Sequence, residues 1–324
     1  MNTKQKIVTY LLYATLALSL TIVHHFKIDV TQINNQVCLH LGILKNTAPQ
    51  PYNLRVLQPW LVEGATKIAA VVNIDYFTAF VLGYGTIRFI SLFATFCLAD
   101  ALFTVFGGVL FAKLAVLFLA AIYPLSFLFY YYQPTSILDL AFLTLGVLLI
   151  VKNKNLLLLA AVMLFAALNR NTSIFILVFY ALWNFDTFVA AMKAKDKPKI
   201  TAYIAGCVIL LVVWADIMYF LNLSYPSKTW SDTPASCIAY NLTHPRAWIV
   251  SALILWPVIA SFIFAWKQLS FKYKMLAAWC AVYLALHLVM GRADEVRLFL
   301  PLYIASAPVL AVALKKLKFE DAAA

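Results

Sequence analysis

The sequence predicts an all-α, polytopic membrane protein with about ten transmembrane helices in a single domain, residues 1–324. Hydrophobic residues make up 64% of the chain and charged residues 12%, whereas a soluble domain carries roughly twice that charged fraction. Apolar runs of roughly 13 to 22 residues recur along the chain, and such runs suit helices that cross a bilayer. All six arginines fall on one predicted side of the membrane and most lysines on the other. The net charge of +12 therefore reflects membrane topology and not nucleic-acid binding.

The first predicted span comprises residues 7–23 and starts inside, because Lys4 and Lys6 precede it. Further spans are predicted at residues 86–106, 114–130, 136–151, 156–168, 173–188, 200–221, 247–266, 275–290 and 298–314. The spans at 156–168 and 173–188 are short, so we expect Arg170 between them to lie below the headgroup level. A charge at that depth is costly unless it faces a protein-lined cavity.

Two longer outer segments are predicted. Residues 24–85 separate the first two spans and hold two amphipathic helices, at 30–44 and 54–72, with a proline-containing stretch between them that would break a helix. Amphipathic helices of this type lie in the membrane interface. The second outer loop comprises residues 222–246.

The division of positive charge predicts both orientation and function. Lysine-rich turns mark the cytoplasmic side, so both termini are expected inside, in a bacterial inner membrane. Guanidinium groups grip phosphate or carboxylate bidentately. For any single arginine, chance or headgroup anchoring is the alternative, but the set favours an outward-facing site for an anion. The set is Arg55, Arg88, Arg170, Arg246, Arg292 and Arg297.

Cysteine and histidine usage predicts no resident cofactor. Cys38 and Cys237 both fall in outer segments, where an oxidising compartment would allow a disulfide between them. The sequence contains no zinc-ligand spacing, Walker loop or Rossmann glycine pattern. His24, His25 and Asp29 are too loosely spaced to argue for a metal site, so a divalent metal stays open but unsupported.

Three candidate residues come from the first half of the chain. Asp29 follows the first span and could act as a general base if it reaches an acceptor hydroxyl, simple solvation being the alternative. Arg55 begins the second amphipathic helix, where the helix N-terminus and the guanidinium could both face an anion, or where it could anchor to headgroups. Tyr131, at the mouth of two spans, could stack on a sugar ring or anchor at the interface.

The remaining candidates are expected to form charge pairs. Asp139 lies four residues into a span and is expected to be a partner for an arginine. The stretch 291–297 places an acid pair between Arg292 and Arg297. Glu295 could be held by one arginine while the other meets phosphate, and a purely structural ion-pair network is the alternative.

Three stretches together resemble the GT-C class of polytopic glycosyltransferases. They are the Tyr-Asn-Leu-Arg-Val-Leu-Gln-Pro-Trp stretch at 52–60, the Leu-Asn-Arg-Asn-Thr turn at 168–172 and residues 291–301. The resemblance implies a polyprenyl-phosphate-linked sugar as donor, a glycan, lipid or protein acceptor, and transfer with inversion at the outer face. It also implies Asp29 as the base and arginines such as Arg55, Arg170, Arg292 and Arg297 on the lipid phosphate. Asn171 departs from the pattern, because relatives often carry Glu there.

Two other functions stay open from the sequence. A polysaccharide polymerase or ligase would also act on lipid-linked glycans, with a diphosphate in place of the phosphate. A transporter or flippase for an anionic lipid would need a charged path through the membrane.

Overall fold

The computed structural model describes residues 2–127, 135–227, 229 and 233–316. In this part of the chain the protein consists of fourteen α-helices with short 3-10 and π turns and no β-strand, as the sequence predicts. The helices are α1 (Thr3–His24), α2 (Val30–Leu44), α3 (Leu57–Val71), α4 (Tyr76–Ile122), α5 (Thr135–Val151), α6 (Leu156–Asn169), α7 (Ile174–Trp183), α8 (Phe185–Ala194), α9 (Lys197–Ser224), α10 (Pro234–Thr243), α11 (Pro245–Ala265), α12 (Phe271–Met290), α13 (Leu300–Ala305) and α14 (Ala307–Lys316). One large apolar cluster draws buried residues from most of these helices.

Several helices are long and apolar enough to cross a membrane, which indicates an integral membrane protein. Among the described residues there are five such helical stretches, or up to seven if each of two bent helix pairs forms one span. The five are Thr3–Leu44, Tyr76–Phe127, Lys197–Ser224, Pro245–Gln268 and Phe271–Met290. This number is below the predicted ten, because the second stretch combines two predicted spans and because α5 and α6 are short.

The 47-residue helix α4 reverses direction at Gly108. Asp100 and Lys113 form an ion pair at 2.8 Å, although thirteen residues of straight helix would separate them by about 20 Å. The rings of Phe103 and Phe111 also meet across the turn, with centroids 5.5 Å apart. Two arms therefore run side by side, and the turn lies between the predicted spans 86–106 and 114–130.

Gly108 permits this turn because its backbone has φ +80° and ψ −176°, a conformation that is essentially restricted to glycine. We expect Gly108→Ala to lower the free energy of unfolding by about 1–3 kcal/mol through backbone strain alone, because a Cβ at this position would meet no atom within 4 Å. Gly85→Ala is the matched control, since its Cβ would also meet nothing within 4 Å and alanine favours a helix. Thermal unfolding in detergent would compare the two variants, and equal stabilities would contradict the strain argument.

The structure corrects the predicted start of the first outer segment. Residues 24–29 are not a loop, because a π turn, His25–Asp29, joins α1 directly to α2. A kink follows at Gln32, where φ is −116° and ψ is 16°. At the other end of the segment, α4 begins at Tyr76 and not near residue 86, because the Asp75 side chain caps it by accepting a 3.0 Å hydrogen bond from the Thr78 N–H.

Two predicted straight spans are broken in the structure. Residues 173–188 divide into α7 and α8 with a bend of 41°, and residues 298–314 divide into α13 and α14 with a bend of 69°. Pro308 lies at the second break and has no N–H for a helical bond to the preceding turn. At the first break, Asn184 donates its side-chain amide to the Tyr180 carbonyl at 3.0 Å and leaves helical geometry.

Lysines and arginines lie at opposite ends of individual helices. Lys272 and Lys274 are in the first turn of α12, and Arg292 follows its last residue, about 30 Å away along a 20-residue helix. Lys152 and Lys154 likewise precede α6, and Arg170 follows it. We call these the lysine end and the arginine end of the bundle.

Candidate functional site

A cavity of about 290 Å³ lies at the arginine end of the bundle. Its wall is formed by the loop before α3, the turn between α6 and α7, single residues of α9 and α10, and the segment from the last turn of α12 to Leu298. Of the sequence-predicted site residues, Arg55, Arg170, Arg292 and Glu295 line this cavity. Segments far apart in sequence therefore converge on one cationic space.

The loop that carries Arg55 is fixed by hydrogen bonds to the end of α9 and the residues after it. The side-chain amide of Asn46 donates to the Ser224 carbonyl at 2.9 Å, and the Asn53 side-chain amide donates to the Tyr225 carbonyl. The Gln50 N–H donates to the Thr229 carbonyl at 2.8 Å. These acceptors are all backbone carbonyls.

Arg55 is a buried charge without a carboxylate partner. Its side chain is 7% exposed, and in the described part of the chain no carboxylate lies within 4.0 Å and no acceptor meets its Nε. The Tyr52 ring lies 4.7 Å from the guanidinium carbon. Burial first, and then the neighbouring charge of Arg170, lower the pKa of Arg55 to about 10, so the group stays cationic at neutral pH. A buried charge of this kind is costly until a counter-ion arrives.

Arg170 is held between α6 and α7 by the partner that the sequence predicts. Its Nη1 lies 3.7 Å from Oδ2 of Asp139 on α5, and the Thr172 hydroxyl donates to the same oxygen at 3.0 Å. Arg170 is 8% exposed, and its Nε lacks a hydrogen-bond partner in the structure. Asp139 therefore compensates Arg170 only loosely, and donor capacity remains on the cavity side.

Glu295 and Arg297 form a close pair beneath the cavity. Nη2 of Arg297 donates to Oε2 of Glu295 at 2.8 Å, and their side chains are only 10% and 7% exposed. Arg292 lies over the Tyr240 ring at 4.8 Å, while the Tyr240 hydroxyl donates to Asp294 at 2.7 Å. Glu295 thus holds Arg297, and the Tyr240 ring, whose hydroxyl is bonded to Asp294, lies against Arg292 in the cavity wall.

Asn241 fixes the segment that carries these residues, and sequence reasoning gave it no part in the site. Its side-chain amide donates to the carbonyls of Leu288 at 2.7 Å and Gly291 at 3.0 Å, and its side-chain oxygen accepts the Ala293 N–H at 2.7 Å. Because its partners are backbone groups, no pattern in the sequence could have revealed them.

We expect Asn241→Ala to destabilise the protein by about 1–3 kcal/mol, because buried backbone groups lose their partners, and to weaken anion binding at Arg292. Thermal unfolding and phosphate-ligand titration would measure the two effects. Asn222→Ala is the control, since the Asn222 amide bonds only the Met218 carbonyl of its own helix, at 2.7 Å. Equal behaviour of both variants would remove Asn241 from this role.

Asp29 lies outside the cavity lining, in a separate buried ion pair. Its two carboxylate oxygens accept hydrogen bonds from Arg88 at 2.6 Å and 3.0 Å, and Nδ1 of His24 lies 3.3 Å away. Asp29 and Arg88 are each 3% exposed. The pair joins the end of α1 to α4, so both oxygens of the predicted base are engaged.

Removing only one partner of this pair should be costly, because the other charge stays buried. We expect Asp29→Asn to lower stability by about 3–5 kcal/mol. The double variant Asp29→Asn/Arg88→Met should recover most of that loss. Apparent unfolding temperatures in detergent would test this, and a stable, inactive Asp29→Asn single variant would instead favour the base role.

Among the described residues, Arg88, Asp139, Arg246 and Arg297 do not line the cavity. Arg246 is exposed, and Tyr131 lies outside the described residues. No disulfide joins Cys38, which is exposed, to Cys237, which is buried in the cavity wall. Within the described ranges no group of three or more His, Cys, Asp or Glu residues could hold a metal ion.

No protein-family model, curated protein or solved structure matches this chain.

Proposed function

We propose that the protein is a membrane glycosyltransferase that moves a sugar from a polyprenyl-phosphate donor to an acceptor at the outer membrane face. The observation that carries this proposal is the buried, uncompensated guanidinium of Arg55 beside Arg170 in one cavity. A phosphate group supplies the missing negative charge and accepts bidentate hydrogen bonds from such groups.

The charge balance around the cavity favours a phosphodiester over a diphosphate. Arg55, Arg170, Arg292 and Arg297 contribute four formal positive charges. Asp139, Asp294 and Glu295, which lie in or beside the cavity wall, contribute three negative charges. The difference is one positive charge. A sugar phosphodiester carries one negative charge, whereas a diphosphate carries two. This supports the glycosyltransferase over the polymerase or ligase alternative.

The same balance suits the leaving group of the transfer. The acceptor hydroxyl oxygen forms a bond to the anomeric carbon, and the bond from that carbon to the phosphate oxygen breaks. The polyprenyl phosphate that departs gains negative charge during this step. Arginines that are already oriented stabilise such developing charge without reorganising.

We propose that the arginine end faces the periplasm of a bacterial inner membrane and that both termini are cytoplasmic. The positions of lysines at one end and arginines at the other support this orientation. The proposed ten spans count each arm of α4 once and each bent pair once, together with α1, α5, α6, α9, α11 and α12. In this arrangement α2 and α3 are the interfacial helices.

For Asp29, the Arg88 pair supports a structural role in place of the base role that the resemblance implies. A carboxylate that accepts two arginine hydrogen bonds and lies outside the cavity is poorly placed to meet an acceptor hydroxyl.

Arg55→Gln tests whether the buried guanidinium of Arg55 binds the lipid phosphate. We expect donor and polyprenyl-phosphate affinity to fall by about 10- to 100-fold, because a charge-assisted hydrogen bond is lost. We also expect the ligand-free variant to be at least as stable as the wild type, since an uncompensated buried charge is removed. Titration of the purified protein with polyprenyl phosphate, followed by thermal unfolding, measures both quantities.

Arg246→Gln is the matched control and should leave affinity unchanged, because Arg246 is exposed. Release of polyprenyl phosphate from a panel of lipid-phosphate sugars tests turnover. Tighter binding of a polyprenyl-diphosphate glycan than of the phosphate would favour the polymerase or ligase. A folded protein that binds no lipid phosphate at all would contradict the proposal.

A further inference from the structure

The cavity wall contains a histidine, His287, that has no role in the phosphate binding proposed for Arg55 and Arg170. His287 lies in the last turn of α12, one turn before the segment that carries Arg292 and Glu295, and its side chain is 6% exposed. It lines the same cavity as Arg55 and Arg170. A buried titratable side chain in the wall of a cavity is a candidate for a functional role.

The hydrogen bond to its own helix determines which ring nitrogen carries the proton. Nδ1 of His287 lies 2.8 Å from the Tyr283 carbonyl oxygen. A carbonyl oxygen only accepts, so Nδ1 must be the donor. In the neutral ring the lone pair is then on Nε2.

Two aromatic rings fix the orientation of the imidazole. The Tyr283 ring stacks on His287 with centroids 4.0 Å apart and an interplanar angle of 23°. The Phe175 ring, in the first turn of α7, lies 5.8 Å away. Because one nitrogen is bonded and the ring is held by packing, the ring cannot turn to present Nδ1 instead.

The carboxylates near the cavity are already engaged. Glu295 accepts from Arg297 at 2.8 Å, and Asp139 accepts from Thr172 beside Arg170. Asp29 accepts twice from Arg88 and does not line the cavity. Nε2 of His287 has no hydrogen-bond partner among the described residues.

We propose that His287 is the general base of the transfer, with Nε2 accepting the proton of the acceptor hydroxyl. The inference rests on the proposed glycosyltransferase function. As the hydroxyl oxygen attacks the anomeric carbon, its proton passes to Nε2, and the bonding pair of the departing phosphate oxygen stays with polyprenyl phosphate. The imidazolium and the phosphate monoester that result balance the charges of the step. The acceptor hydroxyl therefore binds on the His287 side of the cavity.

His287→Asn is the sharpest test, because the asparagine amide can still donate to the Tyr283 carbonyl while the Nε2 lone pair is removed. We expect binding of polyprenyl phosphate within about threefold of wild type and turnover reduced by about 100-fold or more, as for loss of a general base. His244→Gln is the control, since His244 is exposed and outside the cavity, and should turn over normally.

The outcomes separate this inference from the proposed function. Turnover of His287→Asn within about threefold of wild type overturns the base role and leaves the glycosyltransferase intact. Equal losses of binding and turnover also overturn it, because His287 would then serve binding. If His287→Asn does not fold, His287→Gln is measured in its place, and failure of both variants to fold would assign the residue to packing. A folded wild type that binds lipid phosphate but transfers no sugar overturns both proposals together.

Discussion

Burial of guanidinium charge inside an apolar bundle is the constraint on which the arginine end depends. A charge at this depth is tolerated only with a partner or a cavity. Asp139 partners Arg170, Glu295 partners Arg297, and Arg88 is bound to Asp29. The first pair joins α5 to the turn after α6, and the last joins the π turn after α1 to α4. Arg55 has no carboxylate within 4.0 Å among the described residues, and its side chain lines the cavity. Structure and chemistry at this end thus follow from the same electrostatic requirement.

The sequence is sufficient to predict that the arginines take part in the site. A charged side chain inside a membrane is costly, so each arginine on its own indicates a partner or a cavity. Asp139 as an arginine partner and Glu295 as the acid held by an arginine follow from the same logic, and both contacts are present. The turn at Gly108 was also predictable, because a lysine follows a glycine pair between two apolar runs. Local composition was sufficient in each case.

The rest of the site was not predictable because it depends on backbone groups and on distant contacts. Asn241 bonds three backbone atoms about 50 residues away in sequence, and His287 gains its tautomer from a carbonyl on its own helix. The position of Asp29 after the first span predicts a general base. Its contact with Arg88, 59 residues later in the chain, instead supports a structural role. Hydropathy likewise could not locate the bends within residues 173–188 and 298–314, because it reports how apolar a segment is and not the direction of its helix axis.

The pairing of Arg170 with Asp139 also affects how the chain enters the bilayer. In the proposed ten-span arrangement, α5, with its carboxylate, would reach the membrane before the short hairpin of α6 and α7, because synthesis proceeds from the N-terminus. The arginine at the tip of that hairpin can therefore meet its counter-charge during insertion and need not cross the lipid as an isolated cation. In that arrangement the order of charges along the chain, acid first and arginine second, would make the inserted intermediate nearly neutral.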